Sequence, residues 1–423
     1  MLTLYRVTTT LLTPLAGPML SWRAAQGKED PARLRERMGF ASAPRPAGRL
    51  VWLHGASIGE SLALAPLIER FVQRDIDVLV TSGTVASANL LRARLPAGAV
   101  HQFLPLDAPQ FVERFLDYWR PDMALFAESE LWPNTIRAIH ARRTPFVLVN
   151  ARMSQSSVAR WRSFSGAGAK LFGMIDLCLA QNPEDAARYL GLGAPRVRVA
   201  GNLKFDVPPP PAEASKLAEF NGAVGARPVW AAVSTHPGEE EIVLSAHADI
   251  ASKTPGLMTI VAPRHPERGA DIARLAQDRG LRVALRSQGE APTRGVDVYV
   301  ADTIGELGLF FRSAGLVFMG KSLAVGGGQN PIEPAKLGCA ILHGPDVDNF
   351  AEAYSELNAA KAAARVQDAQ GLARAAQFLL SEPSRLRKMG RAGIETVEKL
   401  SGASRNIMTA LEPYLLQMAL EKR

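Results

Sequence analysis

Short apolar runs alternate with helix-forming segments along most of this chain, and this alternation constrains its fold more than any other feature. Strand–helix–strand alternation is typical of parallel sheets whose two faces are both covered by helices. The predicted strands are 49–54, 77–82, 99–103, 123–127, 146–150, 177–180 and 197–200, followed by 228–233, 258–262, 282–285, 297–300, 316–319 and 340–343. We therefore predict an α/β protein built from doubly wound sheets.

The alternation is interrupted by four consecutive prolines at 208–211. Proline fixes φ and lacks a backbone N–H, so this run can continue neither a helix nor a central strand and forms a stiff connector. The predicted domains are 23–206 and 216–400, with a linker at 207–215 and a C-terminal helix at 401–423 that packs back on the first domain. Open α/β sheets bind ligands outside the carboxyl ends of their strands, so we expect the functional site in a cleft between the domains.

Residues 1–22 are mostly apolar but contain Arg6, Pro14, Pro18 and five threonines. This is less than the roughly 20 clean apolar residues that span a bilayer. Three interpretations stay open: a membrane-associated helix of the monotopic or signal-anchor type, an ordinary packed helix, or a cleaved signal peptide. The first is favoured by basic residues that would face anionic lipid on the cytoplasmic side, namely Arg23, Lys28, Arg33, Arg35 and Arg37.

The formal net charge of +8 predicts attraction to anions: phosphorylated small molecules, acidic lipid headgroups or nucleic acid. Nucleic acid is the least favoured, because no nucleic-acid-binding motif is visible. Cys178 and Cys339 lie in apolar runs and are expected to be buried hydrophobic residues in a reducing compartment. His54, His236 and His265 lack the spacing of metal ligands, so no metal site is predicted.

A glycine-rich run at 325–335 follows the predicted strand 316–319 and precedes a predicted helix. Gly327 and Gly328 would let the backbone approach a ligand closely, and N–H groups at the helix start would bind a phosphate. Asn330 can donate a hydrogen bond, and Glu333 can accept one from a sugar hydroxyl. No GK[ST] sequence follows, which disfavours ATP-driven phosphoryl transfer. The alternative is a simple turn between a strand and a helix.

Three further polar loops follow predicted strands of the second domain. Ser234 and Thr235 supply hydroxyls at a helix start, while Arg264 and Arg268 could pair with a phosphate or a carboxylate. Asp302 is either the N-cap of a helix or a direct ligand. Together with the glycine-rich run, these polar strand ends indicate a nucleotide site.

Acidic side chains follow two predicted strands of the first domain. Glu60 lies at a helix start, where a carboxylate either satisfies the helix dipole or acts as a general base. Glu128 and Glu130 follow the strand 123–127, and two carboxylates there are costly unless they are used or paired. A basic belt is either a solvated surface or a contact for the phosphates of a lipid acceptor; it comprises Arg142, Arg143, Arg152, Arg160 and Arg162.

These motifs together resemble those of the 3-deoxy-D-manno-octulosonic acid (Kdo) transferases of Gram-negative bacteria. The matching segments are HGASIGE (54–60), TSGTVAS (81–87), ESELWPN (128–134), NARMS (150–154), AGNLKFD (200–206), STHPGEE (234–240), PRHPER (263–268), DTIGEL (302–307) and GGGQNPIEPA (326–335). The likeness extends over nearly the whole chain. One departure is Gln329, where the family usually has histidine.

The resemblance implies a GT-B fold of two Rossmann-like domains, CMP-Kdo as the donor, a lipid A precursor as the acceptor, and inverting transfer without a metal or other cofactor. It places the catalytic base at Glu60 and a second catalytic carboxylate at Glu128 or Glu130. The expected donor-binding residues are Ser234, Thr235, Arg264, Gly327, Gly328, Asn330 and Glu333, and the expected acceptor-binding residues are Ser57, Gly59, Arg33, Arg37 and Arg162. The expected location is the cytoplasmic face of the inner membrane, in contact with the membrane surface and with no nucleic-acid partner.

Two other classes of function stay open at this stage. A sugar epimerase with a GT-B-like fold would need a nucleotide diphosphate site and would have no use for the apolar first segment. A non-catalytic binder of anions or lipid headgroups would explain the net charge but not the acidic loops. A transferase for another nucleotide sugar would share the same fold.

Overall fold

The computed structural model of the protein describes residues 1–420, and the chain divides into two compact units. The first unit comprises Met1–Val207 together with the segment that begins at Ser401, and the second comprises Pro208–Leu400. The last three residues of the predicted C-terminal helix, 421–423, lie outside the described residues.

The first unit contains a seven-stranded parallel sheet of order β3-β2-β1-β4-β5-β6-β7. Its strands are β1 Leu50–His54, β2 Asp77–Ser82, β3 Ala99–Phe103, β4 Met123–Ala127, β5 Phe146–Ala151, β6 Leu177–Ala180 and β7 Val197–Val199. All residues of β1, β4, β5 and β6 are buried, as expected for central strands covered on both faces. The strand order reverses between β1 and β4, and this switch point is where open α/β sheets bind ligands.

Helices cover both faces of this sheet. They are α1 Leu2–Leu11, α2 Ala16–Ala25, α3 Leu34–Arg37, α4 Ile58–Val72, α5 Val85–Arg94, α6 Pro109–Trp119, α7 Pro133–Ala141, α8 Gln155–Ser163, α9 Ser165–Phe172 and α10 Pro183–Gly191. Three 3₁₀ turns complete the unit, at Thr13–Leu15, Pro31–Arg33 and Leu203–Phe205.

The second unit repeats the architecture with a parallel sheet of order β10-β11-β9-β8-β12-β13-β14, which reverses between β8 and β12. Its strands are β8 Val229–Thr235, β9 Met258–Pro263, β10 Val283–Leu285, β11 Val298–Val300, β12 Leu316–Met319, β13 Ala340–His343 and β14 Ala363–Arg365. Its helices are α11 Ala214–Val224, α12 Glu239–Ala251, α13 Gly269–Gln277, α14 Leu307–Ser313, α15 Ile332–Lys336, α16 Ala351–Ala359, α17 Ala369–Ser381 and α18 Pro383–Leu400. Its 3₁₀ turns are Pro266–Arg268, Arg286–Gln288 and Asp348–Phe350.

The last helix of the described residues is α19, Ala403–Leu420, which belongs to the first unit. Ile407, Leu411 and Leu415 of this helix are part of the buried core under β1, β2 and β4. Asp206 accepts hydrogen bonds from the backbone N–H groups of Gly402 and Ser404, both at 2.6 Å, and so satisfies donors at the start of the helix.

The prediction of one helix over 1–22 was wrong. Pro14 lies in the 3₁₀ turn between α1 and α2, and Pro18 lies in the first turn of α2, where its missing N–H costs no hydrogen bond. The segment is therefore two helices of 10 residues each. Within residues 1–420, no helix is both long enough and apolar enough to cross a bilayer.

The proline run lies along the second unit. Arg312 of α14 donates a hydrogen bond of 2.7 Å to the carbonyl oxygen of Pro210. Gly308 has no side chain, and a Cβ atom there would collide with the carbonyl groups of Pro210 and Pro211. The linker is thus packed against α14.

Candidate active site

Glu60 lies in the first turn of α4, just after β1. The Ser57 hydroxyl donates to one Glu60 carboxylate oxygen at 2.7 Å, the Ala56 N–H donates to the other at 2.8 Å, and Ser57 Oγ accepts from the Glu60 N–H. This S-x-x-E arrangement is a capping box, so Glu60 does help to cap the start of helix α4. Burial raises the pKa of Glu60, and the charges of Glu130 and Glu128 raise it further, although these hydrogen bonds oppose the shift.

Glu130 follows β4, and its pKa is shifted in the opposite direction to that of Glu60. Trp132 Nε1 donates to Glu130 Oε2 at 2.9 Å, and His54 Nε2 lies 3.3 Å from the same oxygen. Burial disfavours the charged form of Glu130, but these two hydrogen bonds and the His54 charge outweigh it, so the pKa of Glu130 is lowered.

A buried chain of hydrogen bonds orients His54. Trp52 Nε1 donates to Thr81 Oγ1 at 2.9 Å, and Thr81 Oγ1 lies 2.9 Å from His54 Nδ1. The Thr81 carbonyl oxygen lies 3.1 Å from the same Nδ1, so two atoms of Thr81 hold this side of the ring while Nε2 faces Glu130. From the sequence, His54 was considered only as a possible metal ligand. Its place at the end of the first β-strand was the feature that could have indicated a buried position in the site.

Glu128 is held by a cation instead. Its carboxylate lies 2.8 Å from Lys204 Nζ, and its backbone carbonyl accepts a hydrogen bond of 3.0 Å from the Tyr189 hydroxyl. Its φ of 53° is uncommon for a residue other than glycine. The structure therefore brings Glu60, Glu128 and Glu130 into one electrostatic site.

The expected acceptor-binding residues divide into two groups. Ser57 and Gly59 are exposed beside Glu60 at the start of α4. Arg33 forms a two-point ion pair with the buried Glu36, at 2.7 and 2.9 Å, and Arg37 lies 3.2 Å from the buried Glu29.

Those two arginines neutralise buried carboxylates, which gives them a structural task that the sequence did not reveal. Burial lowers the pKa of Arg37, although Glu29 opposes the shift. Arg162 is exposed on α8, apart from both ion pairs.

In the second unit, Glu239 at the start of α12 organises the loop after β12. Its fully buried carboxylate accepts hydrogen bonds from four backbone N–H groups, those of His236, Lys321, Ser322 and Leu323, at 2.7–3.1 Å. Helix α12 and the loop at 320–323 are thereby fixed to each other. The sequence reasoning missed Glu239, because an acidic residue at a helix start also satisfies the helix dipole.

Ser234 and Thr235 end β8 beside this loop. Ser234 is buried with φ 53°, and Gly320 approaches it so closely that an added Cβ would lie 2.5 Å from its carbonyl oxygen. The Thr235 hydroxyl is buried and has no hydrogen-bond partner among the described residues. An unsatisfied buried hydroxyl is costly, so it is available to a ligand.

The glycine-rich run continues the same loop. Gly327 and Gly328 have φ of 121° and 69°, values that glycine tolerates best. Asn330 Oδ1 accepts from the Ile332 N–H at 3.0 Å, and Asn330 Nδ2 donates to Glu333 at 3.2 Å. Helix α15 is only five residues long. The amide of Gln329 lies 3.4 Å from His236 Nε2.

Cationic side chains lie at the carboxyl ends of β9 and β12. Arg264 is exposed after β9 and Lys321 is half-buried after β12. Burial lowers the pKa of His236, and the charges of Lys321, His265 and Arg264 lower it further, against the opposing effect of Glu239. Lys321 was missed in the sequence, where it is one lysine in a glycine-rich loop.

One residue of this unit has a partner inside the protein, and one expectation needs correction. Arg268 forms an ion pair with the buried Glu240, so its guanidinium is used internally. Asp302 is not the N-cap of α14, because Glu306 occupies that position. Asp302 accepts hydrogen bonds from the Ser287 N–H at 2.8 Å and the Ser287 hydroxyl at 2.6 Å, and so ties β11 to the turn at 286–288.

The fold is shared with enzymes that act on nucleotide sugars. A UDP-GlcNAc 2-epimerase from Neisseria meningitidis, solved bound to UDP-GlcNAc, is similar with a TM-score of 0.59 and 15% identity, covering 88% of this chain and all of that one. At this identity the likeness concerns the fold alone. The two parallel sheets define a GT-B-like protein.

Sequence comparison identifies the family. Residues 32–207 match the family model described as 3-deoxy-D-manno-octulosonic-acid transferase (kdotransferase). The chain is 33% identical to the 3-deoxy-D-manno-octulosonic acid transferase of Haemophilus influenzae, covering 90% of this chain and 91% of that one. It is 35% identical to a probable mitochondrial 3-deoxy-D-manno-octulosonic acid transferase of Arabidopsis thaliana, covering 94% and 92%. The chain therefore belongs to the Kdo transferase family and is a glycosyltransferase.

Proposed function

We propose that the protein transfers Kdo from CMP-Kdo to a hydroxyl of a lipid A precursor, with inversion at the anomeric carbon and without a metal ion. The observation that supports this most directly is the half-buried carboxylate of Glu60, whose pKa is raised beside Glu130 and Glu128. A raised pKa brings a carboxylate closer to the operating pH, where general-base catalysis is most effective.

Glu60 removes the proton from the attacking acceptor hydroxyl. The acceptor oxygen then forms a bond to the anomeric carbon of Kdo, and the bond from that carbon to the phosphate oxygen breaks with its electron pair leaving on CMP. The transition state has oxocarbenium character, as in other glycosyl transfers. Glu130 and Glu128 are negative groups close enough to Glu60 to affect its charge, and they favour developing positive charge in this site.

The second unit supplies the donor site in this proposal. Charge develops on the phosphate of the departing CMP and is met by the cations Arg264 and Lys321 and by the hydroxyls of Ser234 and Thr235. The unpartnered hydroxyl of Thr235 is the strongest support for a ligand here. Gly327, Gly328, Asn330 and Glu333 complete the site, with close backbone approach at the two glycines.

We also propose that the enzyme works on the cytoplasmic face of the inner membrane of a Gram-negative bacterium. Support comes from the exposed apolar residues of the first two helices, among them Leu4, Leu11 and Trp22, which are 68%, 74% and 62% exposed. Exposed apolar side chains flanked by basic residues are typical of helices that lie on a membrane surface.

The experiment is a transfer assay with CMP-Kdo generated in situ, a lipid A precursor, detergent and EDTA, read by mass spectrometry. We expect a product heavier by one or more Kdo units, and the mass also counts the additions. Glu60→Gln should lower kcat by about 10²–10⁴, whereas Glu69→Gln, on the exposed surface of the same helix, should not change it.

Binding of the donor nucleotide is measured separately by thermal shift. CMP should raise the Tm of wild type and of Glu60→Gln equally, and UDP should not. Full activity in Glu60→Gln would exclude this base. Folded protein that yields no Kdo-bearing product would withdraw the donor and acceptor proposed here.

A further inference from the structure

The first two helices form one wall of an apolar groove in the first unit. The groove has a volume of about 460 Å³, within the range of roughly 300–1,000 Å³ that is usual for small-ligand sites. Its apolar lining includes Leu12, Leu15 and Met19 from the helical segment and Leu106, Phe111 and Trp132 from the body of the unit. The first three of these are 53%, 60% and 41% exposed, so the groove offers apolar surface that the protein itself does not cover.

Helix α1 presents two different stripes. Tyr5 and Thr9 of α1 and Leu12, the residue just after it, are spaced by four and three residues and line the groove. Leu4, Val7 and Leu11, spaced by three and four, form a separate exposed stripe. Residues at these spacings share one helix face, so the groove and the exposed apolar stripe lie on different faces of α1.

The groove wall is fixed to the polypeptide next to the catalytic carboxylates. The Tyr5 hydroxyl donates to Asp107 at 3.1 Å, and Asn134 Nδ2 donates to Thr9 Oγ1 at 2.9 Å. Asp107 also accepts from the backbone N–H groups of Asn134 and Thr135 and from the Thr135 hydroxyl. The first helix is therefore anchored to the same turn that carries Trp132.

The polar groups of this groove are already satisfied. Asp107 is the one charged residue among those that line it in the described chain, and its carboxylate accepts four hydrogen bonds. The hydroxyl of Thr13 donates back to the carbonyl of Thr9 at 3.0 Å. No lining charge is left to bind a phosphate or a carboxylate, so the chemistry of the groove fits an unbranched hydrocarbon chain.

Trp132 connects this groove to the reaction site. Its ring lines the groove while its indole N–H donates to Glu130, the carboxylate that acts on the charge of Glu60. We propose that the groove binds an acyl chain of the lipid acceptor and thereby presents the sugar hydroxyl to Glu60. This inference rests on the proposed function, because it assigns the groove to the acceptor of that reaction.

The first test compares an acylated lipid A precursor with the same phosphorylated disaccharide after complete deacylation. Leu15→Asp places a charge in the groove and should raise the KM for the acylated acceptor about tenfold or more, which corresponds to about 1.4 kcal/mol. It should leave the KM for CMP-Kdo and for the deacylated acceptor unchanged. The matched control is Leu416→Asp, which is 58% exposed on α19 and should change none of these values. Leu11→Asp, on the exposed stripe outside the groove, should raise the KM for the acylated acceptor less than Leu15→Asp does.

Three outcomes would overturn the inference: an unchanged KM in Leu15→Asp, an equal loss with both acceptors, or an equal loss in Leu11→Asp. The last would show that the whole apolar surface contacts detergent or lipid and that the groove has no specific role in binding the acceptor. Because Leu15 is 60% exposed, we expect the Tm of the variant to stay within about 2 °C of wild type.

A second test does not depend on turnover. An acceptor with a diazirine in its acyl chain is photolysed with the wild-type enzyme, and the labelled residues are located by mass spectrometry. We expect labels at 12–19 that excess unlabelled acceptor removes and excess phosphatidylglycerol does not. Labels confined to Leu4, Val7 and Leu11, or removed equally by both lipids, would overturn the inference in favour of a membrane contact. Absence of Kdo transfer with these groove labels present would count against the proposed reaction alone.

Discussion

At the scale of single residues, the environment moves the pKa values of chemically identical carboxylates in opposite directions. Glu60 has a raised pKa because burial and two neighbouring negative charges oppose its ionisation. Glu130 has a lowered pKa because His54 and Trp132 donate to it. Pairs of carboxylates whose environments move their pKa values apart are how active sites assign different roles to the same group.

This difference predicts a pH dependence. Glu60 acts as a base only when deprotonated, so kcat/KM should fall as the pH decreases through its raised pKa. Glu130→Gln removes a negative charge that raises this pKa, so the acid limb of the remaining activity should move to lower pH. The measurement is kcat/KM against pH for wild type and variant, with Glu69→Gln as a surface control. An acid limb that stays in place in Glu130→Gln would show that the limb does not report Glu60.

At the scale of elements, one buried carboxylate holds the donor loop. Glu239 accepts from four backbone N–H groups, three of them in the loop 321–323. Hydrogen bonds to a charged group contribute about 1.5–3 kcal/mol each, although the contributions do not add simply.

Glu239→Gln should therefore lower the free energy of unfolding by about 2–4 kcal/mol, since an amide has one acceptor oxygen and brings two buried donors that need partners. It should also weaken CMP binding, because the loop carries Lys321. Urea unfolding and calorimetric titration with CMP measure the two effects. Glu241→Gln, exposed in the same helical turn, is the control and should change stability by less than about 0.5 kcal/mol. Equal stability of the two variants would contradict the prediction.

The strands were predictable because their pattern is local. All thirteen predicted strands are present, and their ends differ from the structure by at most two residues, since fully buried parallel strands are continuous apolar runs. Strand β14 was missed because Ala363–Arg365 is three residues with no such run. The N-terminal segment was predicted as one helix because its apolar residues were given more weight than Pro14, which in fact lies in the turn between two helices.

The chemistry of the candidate site was only partly predictable. Glu60, Glu128 and Glu130 stand at strand ends, and the sequence places them there. Their partners, Lys204 for Glu128 and His54 for Glu130, come from distant positions in the chain, and only the fold brings them together. Arg33 and Arg37 resembled free cations, and their buried partners Glu36 and Glu29 could not be inferred from spacing alone.

At the scale of the whole molecule, the first unit is completed by the end of the chain. The segment from Ser401 belongs to the same unit as Met1–Val207, although the second unit intervenes in sequence. Buried residues of α19 share one core with β1, β2 and α4. The core of the first unit therefore includes a helix that follows the second unit in the sequence.

Leu411→Ala tests whether the core depends on this helix. Leu411 is fully buried in the core of the first unit, and truncating a buried leucine costs about 2–5 kcal/mol through lost burial and the cavity left behind. Leu416→Ala, in the same helix but 58% exposed, should cost less than about 0.5 kcal/mol. Hydrogen exchange should show faster opening in peptides from 50–82 and 123–151 of the Leu411→Ala variant, and unchanged exchange in 229–343, since the two units have separate cores. CMP should still raise the Tm of the second unit in this variant. Faster exchange confined to α19, with 50–82 unchanged, would mean that the helix is only attached to a core that is stable without it.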